Sequence, residues 1–194
     1  MRTLSLRRTK KLHLSDFLTY SHHAWFMKPA ADRALFRLLY KRRVTTIVEI
    51  GLGTGQRAER MFRLAMKLGD GLVRYTGIDL FEARPPFSPG LTYKCAHRLL
   101  MATGAQVKLV PGDPLSALGR VANGLRGTDL LIVSADQDEA ALSRAWFFVP
   151  RMLHADSRIC LEEPQVANKG TRFRLIQPED VELLAAAGSL KSAA

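Results

Sequence analysis

Three short segments carry residue types and spacings suited to chemistry. The first is Glu49-Ile50-Gly51-Leu52-Gly53-Thr54-Gly55, whose alternating glycines allow a sharp turn, close approach of bare backbone to a ligand, and a tight seat for a following helix. The second is Asp79, 24 positions after Gly55, where a carboxylate can accept both hydroxyls of a ribose. The third is Gly112-Asp113. Asp113 could receive an exocyclic amine such as that of adenine, or could cap the helix that Pro114 opens. The glycine spacing is GxGxG, not the GxGxxG of NAD sites, and Glu49 stands two residues before the first glycine, so the pattern points to a different nucleoside ligand.

These segments gain meaning from the elements that must position them. Ala31 to Arg43 has a helical apolar period with Leu35, Phe36, Leu38 and Leu39. After it, short β-rich runs alternate with amphipathic helices. Strands are expected at Thr45 to Ile50, Leu72 to Ile78, Val107 to Val110, Leu130 to Val133 and Arg158 to Leu161. Helices are expected at Gln56 to Leu68, Leu91 to Thr103, Leu115 to Ala122 and Ala140 to Leu153. Repeated βαβ units imply a doubly wound α/β fold with a mainly parallel sheet covered on both faces. Each of the three segments then follows a strand, at the carboxyl edge where such sheets bind ligands. Only Thr171 to Ile176 and Pro178 to Ala187 remain as a further strand and helix, so the sheet is expected to be cut short at six strands, with an edge that a second copy could cover.

Glu49 to Gly55, Asp79 and Gly112-Asp113 resemble the cofactor motifs of the class I S-adenosylmethionine-dependent methyltransferases, over roughly Ala31 to Glu163. The resemblance implies a Rossmann-like methyltransferase fold and S-adenosylmethionine as cofactor. It places Gly51, Gly53 and Gly55 under the methionine and ribose, Glu49 near the ammonium end, Asp79 on the ribose and Asp113 on the adenine. On the acceptor side, Ser134-Ala135-Asp136-Gln137-Asp138-Glu139 is similar to the acidic segment of the small-molecule O-methyltransferases of the catechol and caffeoyl-CoA type and of the Asp-Gly-Asp-His group. The cation-dependent branch has a metal-binding Asp where Ser134 stands, a Lys where Gln137 stands, and an Asp-Asn pair at or next to Glu162-Glu163. Asp136, Glu162 and Glu163 could still offer oxygens to a divalent cation, but no metal site is expected. Asp136 and Ser134 are the candidate catalytic residues, Asp136 as base or acceptor-orienting group or, alternatively, as a cap for the next helix.

Composition narrows the classes further. The chain has 194 residues, 47% of them hydrophobic, enough for one domain with a real core and too apolar for a disordered tail. No apolar run approaches the roughly 18 to 20 residues of a membrane span, and no signal-type apolar region follows the basic start, so a cytoplasmic protein is expected. Cys95 and Cys160 are expected to be reduced core thiols. Of the net charge of +11, nine units lie in residues 1–43, which hold eleven Lys and Arg against Asp16 and Asp32. Residues 1–30 are therefore expected to form a basic extension to a methyltransferase-like domain at 31–194.

No Asp/Asn-Pro-Pro-Tyr/Phe segment and no Pro-Cys follows the fourth strand, which sets aside the nucleobase amino and C5 methyltransferases that carry them. The expected activity is O-methylation of a small molecule, with an anionic one suited to the charge. The alternatives are methylation of RNA or another anionic polymer through the basic residues 1–43, and a non-catalytic S-adenosylmethionine-binding interaction domain. His22 and His23 are expected to be surface residues, Trp25, Phe26 and Met27 either a lid or packing, and Phe81 to Phe87 either a wall of the cofactor cleft or a connector.

Overall fold

The computed structural model describes residues 18, 21–22, 30–68, 72–165 and 170–192. In chain order the elements are α1 (Asp32–Lys41), β1 (Thr46–Ile50), α2 (Gln56–Leu68), β2 (Arg74–Asp79), α3 (Tyr93–Met101), β3 (Gln106–Pro111), α4 (Pro114–Val121), β4 (Leu130–Val133), α5 (Glu139–Ala145), β5 (Arg158–Gln165), β6 (Gly170–Ile176) and α6 (Pro178–Ser192). The strands form one sheet in the order β3-β2-β1-β4-β5-β6, parallel except for β6, which runs antiparallel to β5. The chain moves outward from β1 through β2 to β3, then returns to β4. The order therefore reverses between β1 and β4, where parallel sheets of this kind open a crevice at their carboxyl edge.

Strand alternation divides the core in two. Ile47, Tyr75, Leu109, Leu130, Ile132 and Cys160 pack beneath Leu35, Phe36 and Leu39 of α1 and Met61, Phe62 and Ala65 of α2. On the other face Val48, Ile50, Ile78, Val110, Leu131 and Val133 meet Ala117 and Leu118 of α4 and Ala145, Trp146 and Val181 around α5 and α6. Each such apolar side chain, fully removed from water, contributes roughly 1.5–3 kcal/mol. All five residues of β1 are buried, as expected of a central parallel strand covered by helices on both faces.

The structure departs from expectation in three places. The helix expected over Ala140 to Leu153 stops at Ala145 and continues as two 3-10 turns, Trp146–Phe148 and Pro150–Met152. Pro150 has no N–H to donate back along an α-helix, and the tighter turns still bury Trp146 and Met152. Strand β5 runs four residues beyond Leu161, because β6 pairs with it across Glu162↔Phe173, Glu163↔Arg172 and Pro164↔Thr171. β4 stops pairing at Val133↔Leu161, so Pro164 breaks no ladder on that side. Glu162 and Glu163 thus sit inside a strand and point to opposite faces. Finally, Cys95 lies exposed on α3 and only Cys160 is buried, its thiol pushed up to about 12 by burial. No helix among the described residues is long and apolar enough to cross a membrane.

Candidate functional site

The turn from β1 to α2 is held from both sides. Gly51, Gly53 and Gly55 have φ of +85°, +58° and +71°, the left-handed region that side chains disfavour. Gly51 N donates to Ile78 O at 2.8 Å, and on the other flank Ser134 N donates to Ile50 O at 2.9 Å while Ser134 Oγ donates to Gly51 O at 2.6 Å. A Cβ at Gly51 would strike Ser134 and Gln137, and one at Gly55 would press on Leu91 and Leu99. Gly53 differs: nothing lies within 4 Å of where its Cβ would be. The turn therefore packs its two ends against protein and presents a bare apex to open space.

Asp79, at the end of β2, faces that apex. Its Oδ2 accepts the Gly53 N–H at 3.0 Å and its Oδ1 the Phe81 N–H at 3.4 Å. The Arg84 guanidinium also donates to Asp79 Oδ2. Gly112 N donates to Asp79 O at 2.9 Å, which brings Gly112-Asp113 beside the same strand end. Asp113 is the N-cap of α4: its Oδ1 accepts Ser116 N at 3.0 Å and its Oδ2 accepts Ser116 Oγ at 2.6 Å. Slight burial would raise its carboxyl, but the hydrogen bonds from Ser116 outweigh that and hold it below the usual range.

Beneath the turn lies a cluster centred on Arg57, a residue that no sequence motif marked. Its Nε donates to Asp32 Oδ1 at 2.8 Å, one terminal nitrogen to Ser134 Oγ at 3.0 Å, and the other to Glu162 Oε2 at 2.9 Å. Glu49 Oε1 stands 3.6 Å away, and the Phe173 ring lies 5.0 Å from the guanidinium carbon. Tyr75 OH donates to Glu49 Oε2 at 2.7 Å, and Thr171 Oγ1 donates to Glu162 Oε1 at 2.5 Å. Glu49 is wholly buried between Tyr75 and Arg57. Burial pushes its carboxyl up to about 7, against the pull of Arg57 and the Tyr75 hydrogen bond. Burial likewise raises Asp32 despite its ion pair.

A signal for this cluster was present in the helical period. Arg57 lies on the stripe of Met61, Leu64 and Leu68, and Asp32 on that of Leu35, Phe36 and Leu39, so each helix carries one charge on its apolar face. A charge so placed needs a partner, and each is the other's.

The loop after β4 supplies the outer wall. Asp138, not Asp136, caps α5, its Oδ2 accepting Ala141 N at 2.7 Å. Asp136 is thereby left for the cleft, its Oδ1 accepting Gln137 Nε2 at 2.8 Å and its Oδ2 lying 3.8 Å from Arg84. Ser134 is buried at the wall of the cleft, where its Oγ donates to Gly51 O and accepts from Arg57. The resulting cleft, of about 270 Å³, is bounded by Asp32, Gly53, Arg57, Arg60, Asp136 and Glu162 among others. No group of three His, Cys, Asp or Glu side chains is placed to hold a metal ion among the described residues. Glu162 is engaged by Arg57 and Thr171, and Glu163 is engaged on the opposite face by Arg174 at 2.6 Å. His23 and Trp25, Phe26 and Met27 lie outside the described residues.

The sequence matches no protein-family model and no curated protein. Solved structures do resemble it. The O-methyltransferase TomG from Streptomyces achromogenes, solved with SAM, superposes with a TM-score of 0.52 at 16% identity, over 90% of this chain and 77% of that one. An O-methyltransferase from Klebsiella pneumoniae, described as putative by those who solved it, gives 0.52 at 16% identity over 97% and 81%. MycE of the mycinamycin pathway, solved with Mg and SAH, gives 0.50 at 14% over 77% and 39%. With the strand order, the antiparallel last strand and the glycine turn at the point of reversal, the chain has the Rossmann-like fold of the S-adenosylmethionine-dependent methyltransferases.

Proposed function

We propose that the chain binds S-adenosylmethionine at the β1–β4 crevice and transfers its methyl group to a hydroxyl of a small acceptor. The observation that carries this is the Gly53 apex. It is bare, faces open space, and is hydrogen-bonded to the carboxylate at the end of the neighbouring strand. Backbone without a side chain next to a strand-end carboxylate fits a nucleoside whose ribose is gripped from one side. Gly51 to Gly55 would pass under the methionine and ribose, Asp79 would accept the ribose hydroxyls, and Asp113, with lone pairs left beyond its cap, would meet the adenine amine. The solved neighbours named above, with SAM and SAH in two of them, favour the same ligand.

When bound, the cofactor supplies an activated methyl on sulfur, and the chain has to align the acceptor oxygen and take its proton. Asp136 is the open carboxylate at the cleft wall and is assigned that proton. The residues present do not make a metal site: Ser134 has no carboxylate, Glu162 is held by Arg57, and Glu163 points away. The resident cation at this end of β4 and β5 is the Arg57 guanidinium, so no step is routed through a metal.

Isothermal titration with S-adenosylmethionine and S-adenosylhomocysteine tests the site. Binding of both is expected, weakened by about tenfold or more in Asp79→Ala, which corresponds to the roughly 1.4 kcal/mol or more of a charged hydrogen bond. Absence of heat with either compound, or an unaffected Asp79→Ala, overturns the proposal. Formation of S-adenosylhomocysteine across a panel of phenols and alcohols, with and without EDTA, then tests the acceptor class. Asp136→Asn should lower kcat, the proton of the acceptor then having no carboxylate to take it.

A further inference from the structure

Arg84 is the side chain that most directly meets the proposed ribose carboxylate. It enters from the loop that follows the short 3-10 turn Phe81–Ala83, and its side chain is only 11% exposed. One terminal nitrogen donates to Asp79 Oδ2, the oxygen that also takes the Gly53 N–H. The other donates to Pro89 O at 2.5 Å and lies 3.8 Å from Asp136 Oδ2. Its Nε is buried with no hydrogen-bond partner. The guanidinium thus stands between the carboxylate assigned to the ribose and the one assigned to the acceptor, held at both terminal nitrogens and unpartnered at its Nε.

The loop is shaped to hold it there. Pro85, Pro86 and Pro89 limit its backbone, and Phe87 at φ +66° stands fully in solvent. A Cβ at Gly90 would fall on the Nε, Cζ and Cδ atoms of Arg84, so the absence of a side chain at position 90 is what gives the arginine its berth. Gly90 does not have the positive φ that would itself demand glycine.

Resting on the assignment of Asp79 to the ribose, we propose that Arg84 is an internal competitor for the nucleoside: its guanidinium occupies the hydrogen-bonding position of the ribose hydroxyls, and binding exchanges it from Asp79 toward Asp136. The exchange is balanced in charge, since Arg84 leaves one carboxylate for another, and Asp79 trades an ionic donor for two hydroxyl donors. Its unpartnered Nε makes the berth on Asp79 incompletely satisfied, which keeps the exchange within reach of ligand binding. If the berthed form makes up about nine-tenths of the population, affinity is reduced about tenfold relative to a chain without it.

Two variants test this by different routes. Arg84→Ala removes the competitor, and Gly90→Ala keeps the charge but displaces it from its berth. Stopped-flow and calorimetric binding of S-adenosylhomocysteine should show faster association and up to about tenfold tighter binding in both, compared with the unmodified chain. Weaker or unchanged binding in both variants overturns the inference and makes Arg84 a part of the site or a bystander. Gain in Arg84→Ala alone, with Gly90→Ala unchanged, also overturns it, because the effect would then come from charge and not from occupancy. The Asp79 assignment is judged separately by Asp79→Ala: loss of binding there with no gain in the other two breaks the exchange and leaves the site standing.

Discussion

Two arginines flank the glycine turn, and each holds a buried carboxylate, yet their surroundings differ. Arg57, below the turn, engages Asp32, Glu162 and Ser134 directly, with Glu49 close by and Phe173 against its plane. Arg84, above it, has one buried carboxylate, one backbone carbonyl, a distant and exposed second carboxylate, and an orphaned Nε. Burial does not separate them, since both side chains are largely covered. The number of partners does. A guanidinium whose three nitrogens each meet a side chain from a different element is fixed framework, whereas one with a single close carboxylate and an unpartnered Nε can be exchanged for a ligand.

The sharpest way to break this contrast is Arg57→Ala. It leaves the buried carboxylates Asp32, Glu49 and Glu162 together without a cation, and should cost about 3–5 kcal/mol in urea unfolding. A loss below about 1 kcal/mol would mean that the cluster rearranges freely and is no framework.

The pH dependence of the same cluster follows from Glu49. Its folded carboxyl is pushed up to about 7 from an ordinary 4.5, so between those values the folded chain holds a proton that the unfolded chain has lost. That contribution is full below about pH 4.5 and is lost as pH rises through 7. Glu49→Gln should therefore lose less stability than the unmodified chain between pH 5 and pH 8, as compared by urea midpoints. An equal decline in both would remove Glu49 as its source.

At the opposite edge of the sheet, Asp129 offers a control far from either arginine. Its Oδ2 accepts Thr45 N, Thr46 N and Thr45 Oγ1 at 2.8–2.9 Å, and its Oδ1 lies 3.1 Å from His154 Nε2. Partial burial would raise this carboxyl, but those donors outweigh it and hold it below its ordinary 3.8. Its contribution is present above about pH 4 and lost as pH falls through the lowered folded value. Asp129→Ala should cost about 1–2 kcal/mol at pH 7, and the difference from the unmodified chain should shrink below pH 4. A difference constant down to pH 3 would contradict the ionised assignment.

The smallest effect on stability is expected from Arg84→Ala, within about 1 kcal/mol. The loss of the Asp79 pair is offset by removal of a buried unpartnered Nε, and Asp79 keeps its two backbone donors. A loss as large as that of Arg57→Ala would place both arginines in the framework and end the distinction.

Much of the architecture was legible in the chain itself. Alternating short β-branched runs and amphipathic helices specify the doubly wound class, because period and length leave few other ways to bury both faces of the strands. β4 and α2 fall where the pattern puts them, β4 as an unbroken apolar run between polar residues and α2 as one apolar period bounded by Gly55 and Gly69. The glycine turn and Asp79 could be placed together from spacing, because a strand, a turn and a helix of known rise leave little freedom in where the next strand ends. The alternatives for Asp113 and Asp136 could not be resolved that way. Capping is decided by the φ and ψ at one residue, and only the folded loops show that Asp113 caps α4 while Asp138, not Asp136, caps α5.

What the sequence by itself determined, then, is the class of fold, the order of its elements and the meeting of the glycine turn with Asp79 at the carboxyl edge, all consequences of local period and backbone geometry. The full set of partners of each arginine belongs to the tertiary structure, beyond the Arg57–Asp32 pair that the helical stripes hint at. Arg57 gathers Asp32, Glu49, Ser134 and Glu162 from positions up to 105 residues away, and Arg84 reaches across to Asp136. Electrostatic pairing depends on distance in space and on the water excluded around it, and neither is written in spacing along the chain.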